Sequence, residues 1–176
     1  KINRANKEAG KLPDNEANKM NNRFFFALYV GFFSGLLWGA VKVGAYYLGF
    51  TKVIPAFLAE PFYKHQFLVS WQGHGVGWLF FTGFSILGAL LYVLFFYKVR
   101  GPWLGLLYGA GVWLILYGWI GPATNMMKSL LSLDVNSIIT ELCLFLLWGL
   151  FIGYTIAFEF TEERAREPFS NFDEVE

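Results

Sequence analysis

Three ionisable side chains stand inside long apolar stretches of this sequence, and they are the residues most capable of chemistry. They are Lys42, His74 and Glu141. An ammonium, an imidazole and a carboxylate can together form an ion pair, pass a proton or bind a polar ligand. Because an unpaired charge in a membrane is costly, such residues usually face the interior of a helix bundle and find partners there. The three residues are therefore a candidate polar cluster, provided that the helices carrying them place them at one depth.

Other kinds of catalytic or cofactor site receive little support. The sequence has two histidines and one cysteine, Cys143, which are too few for a clustered metal or haem site. His65 is expected to be an exposed loop residue without a ligand partner. The glycine run from Gly73 to Gly77 is not a phosphate-binding loop, because no strand precedes it and no lysine follows it. We predict no cofactor, no metal and no catalytic residue, and an enzyme is the least favoured class.

The composition indicates the kind of fold that must position these residues. Of the 176 residues, 56% are hydrophobic and 20% aromatic, while only 15% are charged. A water-soluble domain of this size could not cover so much apolar surface with so few charges. In a lipid bilayer, exposed Leu and Phe side chains carry no penalty. The sequence therefore predicts an all-α membrane protein.

Four apolar segments are each long enough to cross a bilayer, which takes about 20 residues. They predict a four-helix transmembrane domain over 24–160, with helices at 24–50, 70–97, 103–120 and 136–158. A polar tail, 1–23, precedes the domain, and a second tail, 161–176, follows it. The two longer connections, 51–69 and 124–136, each contain amphipathic segments typical of short helices at the membrane surface.

The distribution of Lys and Arg predicts the orientation of the helices. With the N-terminus inside, ten basic residues lie on the inner side and three on the outer side. Basic residues are enriched on the cytoplasmic side of membrane proteins. Both tails are therefore predicted to be cytoplasmic, and both longer connections to be outside.

This orientation places the three ionisable residues at similar depths on the outer side. Lys42 precedes the expected end of the first helix by eight residues, or about 12 Å at about 1.5 Å per residue. His74 and Glu141 each follow the start of their helices by four residues, or about 6 Å. Two alternatives stay open, namely that Lys42 extends to the outer surface and that Glu141 stabilises the N-terminal end of its helix.

Glycines recur at every fourth position along the predicted helices, which favours close approach of helix backbones. Such positions predict tight packing of the bundle, while a dedicated dimer interface is the alternative. The glycines concerned are Gly31, Gly35, Gly39, Gly73, Gly77, Gly101, Gly105, Gly109, Gly149 and Gly153.

The order of short motifs resembles the small YqhR-type membrane proteins of spore-forming Gram-positive bacteria. The resemblance covers about residues 24–160 and rests on the order of the motifs rather than on any single one. Its residues are Gly35 to Trp38, Pro55, Pro61-Phe62, His74-Gly75 with Gly77, Gly88 to Tyr92, Leu106 to Gly109, Trp113, Cys143, Leu147 to Gly149, Gly153-Tyr154 and Phe158 to Phe160. The resemblance implies a multi-pass protein of the bacterial plasma membrane without an assigned activity, and it implies no catalytic residues.

Two classes of function follow from these observations. The first is an accessory or assembly subunit that packs against a larger membrane complex, favoured by small size, short connections and glycine-rich helix faces. The second is a small transporter, channel or lipid-binding protein that uses the outer polar cluster, since glycine breaks such as Gly73-His74-Gly75 occur at transport sites. The expected partners are membrane lipids and another membrane protein or a second copy, with no nucleic acid.

Overall fold

The computed structural model describes residues 12–96, 102–124, 126 and 133–165, with side chains at 22–96, 103–124, 126 and 133–159. Four long helices dominate it. They are α1 (Leu12–Tyr47), α2 (Trp71–Phe96), α3 (Pro102–Ile115) and α4 (Val135–Ala165). The part of the chain that the structure describes contains no strand, which confirms the all-α prediction.

Four helical stretches are apolar and long enough to cross a membrane, and the third runs from α3 into the helical turns that follow it. These stretches are Asn22–Tyr47, Trp71–Phe96, Trp103–Ala123 and Val135–Glu159, so the predicted number of four is confirmed. Exposed tryptophans mark their ends, with Trp71 and Trp119 at one end of the bundle and Trp103 at the other. Tryptophan favours the boundary between lipid tails and water. We call the end where α1 finishes and α2 and α4 begin the loop end.

The first and last helices, α1 and α4, extend further into polar sequence than predicted. α1 begins at Leu12 rather than at Phe24, and α4 ends at Ala165 rather than at Phe158. An existing helix propagates easily into flanking polar residues, because each added residue gains a hydrogen bond without a new nucleation step. Of the predicted tails, 1–23 and 161–176, residues 1–11 and 166–176 lie outside the described residues.

Glycines lie where the helices approach most closely. On α1, a Cβ atom added at Gly31 would lie 2.7 Å from the Cα of Ile86, and one added at Gly35 would lie 2.6 Å from the Cα of Thr82. Gly39 faces the Trp78 indole in the same way. Since no real side chain tolerates such separations, α1 and α2 pack with their backbones nearly in contact.

A second glycine contact joins α3 to α4. A Cβ at Gly105 would lie 2.6 Å from the carbonyl oxygen of Gly149, and one at Gly153 would lie 2.6 Å from the Cα of Gly105. Gly109 similarly faces the backbone of Phe145. The bundle therefore consists of two tight antiparallel pairs, α1 with α2 and α3 with α4. Gly101 lies outside the described residues.

Buried aromatic rings join the two pairs. Phe84 on α2 stacks on Trp148 of α4, with ring centroids 5.8 Å apart. The Trp148 indole donates a hydrogen bond to Ser85 Oγ at 2.9 Å, and the Tyr108 hydroxyl donates one to the Gly88 carbonyl at 2.7 Å. These bonds satisfy polar groups that lipid could not.

The first loop enters the bundle, whereas the sequence predicts only a surface segment. Residues 55–59 are buried, and Phe57–Ala59 form a short 3₁₀ helix. Gly77 on α2 lies against the backbone of Ala56, and Gly73 lies against that of Leu68 in the short helix His65–Leu68. These two glycines therefore make room for the loop and not for another long helix. Of the second surface segment, 124–136, residues 125 and 127–132 lie outside the described part.

The end of α3 departs from regular α-helix. Leu116–Ile120 form a π-helical turn, followed by a last helical turn at Gly121–Ala123. Pro122 cannot donate a hydrogen bond to the carbonyl four residues earlier, and its ring crowds that carbonyl. A wider turn relieves this conflict, and π-turns frequently occur at functional sites.

Candidate functional site

Lys42 on α1 and Glu141 on α4 form an ion pair near the loop end. The ammonium donates a hydrogen bond to Glu141 Oε2, and the two side chains are only 3% and 1% exposed. Lys42 lies five residues before the end of α1, and Glu141 lies six residues after the start of α4. These offsets correspond to depths of about 8 Å and about 9 Å. The antiparallel helices therefore place two charges that are 99 residues apart in the sequence at the same depth.

Tyr117 supplies a third member that the sequence analysis missed. Its hydroxyl donates to Glu141 Oε2 at 2.6 Å and accepts from Lys42 Nζ at 3.3 Å. Tyr117 is fully buried within the π-turn, where its ring stacks on Trp113. The π-helical turn that follows α3 therefore contributes a hydrogen-bonding side chain to the ion pair.

The first loop closes the site from the loop end. Thr51 donates a hydrogen bond from Oγ1 to Glu141 Oε1 at 2.9 Å. The Phe57 ring covers the ammonium of Lys42, whose Nζ lies 4.7 Å from the ring centroid. Each carboxylate oxygen thus accepts at least one hydrogen bond, and the ammonium meets an oxygen pair and an aromatic face. A buried charge pair is tolerated when its hydrogen bonds are satisfied in this way.

A clasp of polar contacts, formed by residues 50–52 and the start of α4, fastens this loop. Ser137 Oγ accepts from the Lys52 backbone N–H at 2.8 Å, and Thr140 Oγ1 donates to the Phe50 carbonyl at 3.0 Å. Asp134 accepts hydrogen bonds from Ser137 and pairs with the Lys52 ammonium at 3.6 Å. Desolvation raises the pKa of the Asp134 carboxyl, but the Ser137 hydrogen bonds and the Lys52 charge outweigh it and lower the pKa below its ordinary value.

His74, the third predicted member of the cluster, has different partners. Its Nδ1 atom forms a hydrogen bond with the Tyr47 hydroxyl at 2.8 Å, and the rings of Tyr46 and Tyr47 pack against it edge to face. Within the described residues, no hydrogen bond joins it to Lys42 or Glu141. The structure therefore brings Lys42 and Glu141 together, whereas His74 packs against two tyrosine rings.

His65 is exposed at the surface of the first loop, as the sequence predicts. Its Nδ1 atom lies 2.6 Å from Glu60 Oε1, because the turn after the 3₁₀ helix brings position 60 beside position 65. In the described part of the chain, no group of three His, Cys, Asp or Glu side chains is arranged to hold a metal ion.

The fold and the site define a class, namely a small polytopic membrane protein of four helices with a charge pair enclosed among them. The chain belongs to the YqhR family, whose family model, described as "Conserved membrane protein YqhR", matches residues 7–170.

The chain is also similar to a protein of Bacillus subtilis (strain 168) named "Uncharacterized protein YqhR". The two are 35% identical over 136 residues, which cover 75% of this chain and 74% of that protein. No solved structure matches the chain. The family description and the four apolar spans together support a multi-pass membrane protein.

Proposed function

We propose that the protein is an accessory or assembly subunit that packs within the membrane against a larger complex. The observation that carries this proposal is the closure of the polar site. Thr51, Tyr117 and Lys42 occupy both oxygens of Glu141, and the Phe57 ring covers the ammonium. A site whose groups are all paired in this way holds the helices together. The function is then carried by the outer surface of the helix bundle, where a partner can pack.

That outer surface is large and apolar. Only 33–39% of the residues in the most apolar window of each span are buried within the chain. Large side chains such as Leu79 and Leu107, each 70% exposed, project from the helices. The glycine faces, by contrast, are used inside the chain between α1 and α2 and between α3 and α4. A partner would therefore pack on the bulky outer faces.

A photo-crosslinking experiment tests this proposal in native membranes. A photoreactive amino acid is placed at one exposed leucine on each long helix, at Leu37, Leu79, Leu107 or Leu147. A docked subunit should give one discrete protein adduct from neighbouring positions and lipid adducts from the others. Lipid adducts from all four positions, together with purification of the chain alone, would contradict the proposal. An adduct of twice the chain mass would instead indicate a second copy.

The proposal includes an orientation in the bacterial plasma membrane with both termini cytoplasmic, supported by the excess of basic residues on that side. Single cysteines at Asn18 and Lys128 in a Cys143→Ser background test it. An impermeant thiol reagent added to intact cells should label only the cysteine at position 128. Labelling at position 18 alone would reverse the orientation.

A second candidate is a small transporter, channel or lipid-binding protein. The buried pair of Lys42 and Glu141 favours it, because ionisable residues inside membranes often mark ion or proton pathways. Reconstituted vesicles distinguish the two candidates. Transport would be favoured over docking if the vesicles show ion flux or ligand release that is lost in Glu141→Gln. The control variant Asp134→Asn should retain the same flux or release.

A further inference from the structure

We propose that the outer face of α2 holds one membrane phospholipid, with an acyl chain in an apolar groove over Gly83 and the phosphate beside Lys64. The groove has a volume of about 500 Å³, and every residue that lines it is apolar. The lining residues are Leu58, Leu79, Phe80, Gly83, Phe84 and Leu87. Retaining one lipid on this face requires neither transport through the bundle nor a docked subunit, so its test is separate from those given above.

A bare glycine forms the floor of the groove. A Cβ atom added at Gly83 would meet nothing within 4 Å, whereas one added at Gly35 would collide with the backbone of α2. Leu79 and Leu87 lie about one helical turn before and after Gly83, and the two leucines are 70% and 62% exposed. The glycine therefore leaves a gap in a row of projecting leucines, and no described part of the chain fills it. An open apolar gap forfeits dispersion contacts, which the acyl chain of a lipid restores.

The groove lies at the depth of lipid acyl chains. α2 has 26 residues and is therefore about 39 Å long, which exceeds the hydrocarbon thickness of about 30 Å. Its first turn then lies among the headgroups, a position typical of an exposed tryptophan such as Trp71. Leu79 and Leu87 follow Trp71 by eight and sixteen residues, or about 12 and about 24 Å. An acyl chain that descends from the headgroups at the loop end therefore reaches the groove.

The first loop borders the groove at the loop end. Leu58, in the 3₁₀ helix, forms part of the lining. The rings of Phe62 and Tyr63 pack against Phe80, with centroid separations of 5.7 and 6.3 Å. Lys64 follows these rings directly in the sequence, and it is exposed. The loop therefore places a cationic residue next to the aromatic edge of the groove.

Lys64 remains available for a lipid phosphate. Lys52 pairs with Asp134, and Glu60 Oε1 lies 2.6 Å from His65 Nδ1. Across the described residues, no carboxylate forms an ion pair with Lys64. A lysine ammonium binds phosphate as a point charge, and its flexible stem lets it extend to the headgroups. An apolar groove that ends beside such an ammonium matches the two parts of a phospholipid, its chain and its phosphate.

Native mass spectrometry of the full chain in detergent tests the site by titration of the delipidated protein with phosphatidylglycerol. One lipid should bind with saturation, ahead of the weaker series of further adducts. In Gly83→Phe the ring fills the groove, so the dissociation constant of this lipid should rise about tenfold, as for the loss of about two buried methylene groups. Gly111→Phe is the matched control, because a Cβ at Gly111 also meets nothing within 4 Å, and it should bind like the wild type. Equal affinities of the two variants would overturn the proposal.

The phosphate assignment has its own control. Lys64→Gln should weaken the binding of phosphatidylglycerol about fivefold, the usual effect of one lysine beside anionic lipid. Lys52→Gln removes a lysine that already pairs with Asp134, and it should leave the affinity unchanged. Diacylglycerol, which has the chains without the phosphate, should bind equally to the wild type and to Lys64→Gln. An unchanged affinity for phosphatidylglycerol in Lys64→Gln would overturn this assignment.

Photo-crosslinking in native membranes distinguishes a lipid from a helix of another protein in the groove. A photoreactive amino acid at Leu79 or Leu87 should give phospholipid adducts. A discrete protein adduct from both positions would overturn the lipid assignment and support the docking proposal. Phospholipid adducts here, together with a protein adduct from another helix, would support both proposals.

Discussion

Replacing Lys42 and Glu141 singly and together tests whether the two buried charges stabilise each other. In Lys42→Met the Glu141 carboxylate stays buried without a cation, and in Glu141→Gln the ammonium stays buried without an anion. Removing one partner of a buried ion pair typically costs about 3–5 kcal/mol of unfolding free energy. The double variant leaves no lone charge, and replacing both partners of such a pair is often nearly neutral, about 0–2 kcal/mol. Because the two single losses together exceed the double loss by at least about 4 kcal/mol, the coupling free energy should be at least about 4 kcal/mol.

The structure also predicts which single replacement is worse. Without Lys42, the Glu141 carboxylate keeps hydroxyl donors from Tyr117 and Thr51 at 2.6 and 2.9 Å. In Glu141→Gln the ammonium has only neutral partners, namely the amide oxygen, the Tyr117 hydroxyl at 3.3 Å and the Phe57 ring. A hydrogen bond to a charged group contributes about 1.5–3 kcal/mol. Glu141→Gln should therefore lower stability more than Lys42→Met.

The measurement is the unfolding free energy in mixed micelles, followed by the loss of helical circular dichroism as denaturing detergent is added. The exposed pair Lys52 and Asp134 provides a matched control, because it is also a lysine–carboxylate pair but lies at the surface, between the first loop and the residue before α4. Its cycle, Lys52→Met with Asp134→Asn, should show almost no coupling. If the losses at Lys42 and Glu141 simply add, the two charges do not stabilise each other and this reasoning fails.

Three further predictions concern packing, a buried hydrogen bond and pH. Gly105→Leu should overpack the α3–α4 contact and cost about 1–3 kcal/mol, whereas Gly111→Leu, where a Cβ meets nothing within 4 Å, should leave the melting temperature nearly unchanged. Ser85→Ala should cost about 1–3 kcal/mol in the same unfolding assay, because it leaves a buried indole N–H unpaired. Ser34→Ala should be neutral or stabilising, because the equally buried Ser34 hydroxyl has no partner among the described residues. The lowered pKa of Asp134 stabilises the folded state above the ordinary value of 3.8, and this contribution is lost as the pH falls through the folded value. Melting curves between about pH 6 and about pH 3 should therefore show a steeper loss for the wild type than for Asp134→Asn.

The sequence was sufficient to predict the helices and the level of the ion pair. Apolar length determined the four spans, and the rise per residue placed Lys42 and Glu141 near one depth. The charge pairing then follows from the cost of a lone charge in lipid. Helix ends were less accurate, because polar residues continue a helix once it exists, as at Leu12 and Ala165.

The remaining members of the site depend on tertiary structure. Tyr117 reaches Glu141 from a π-turn, and neither the turn nor its direction has a clear pattern in sequence, although Pro122 is a signal of irregularity. Thr51 and Phe57 come from a loop whose burial depends on the bare surfaces of Gly73 and Gly77. His74 has the expected depth but faces Tyr47, because depth alone does not determine the direction in which a helical side chain points.

The separation of the paired charges along the chain bears on how the protein enters the membrane. Glu141 follows Lys42 by 99 residues, so α1 and α2 leave the ribosome long before the partner charge exists. At about 5–20 residues per second, the interval is about 5–20 s. During this time Lys42 has no carboxylate at its depth, and the low-energy position of its ammonium is the lipid headgroup region. The hairpin of α1 and α2 therefore reaches its final position only after α4 is inserted. Insertion of the last helix is thus the step that completes the packing of α1.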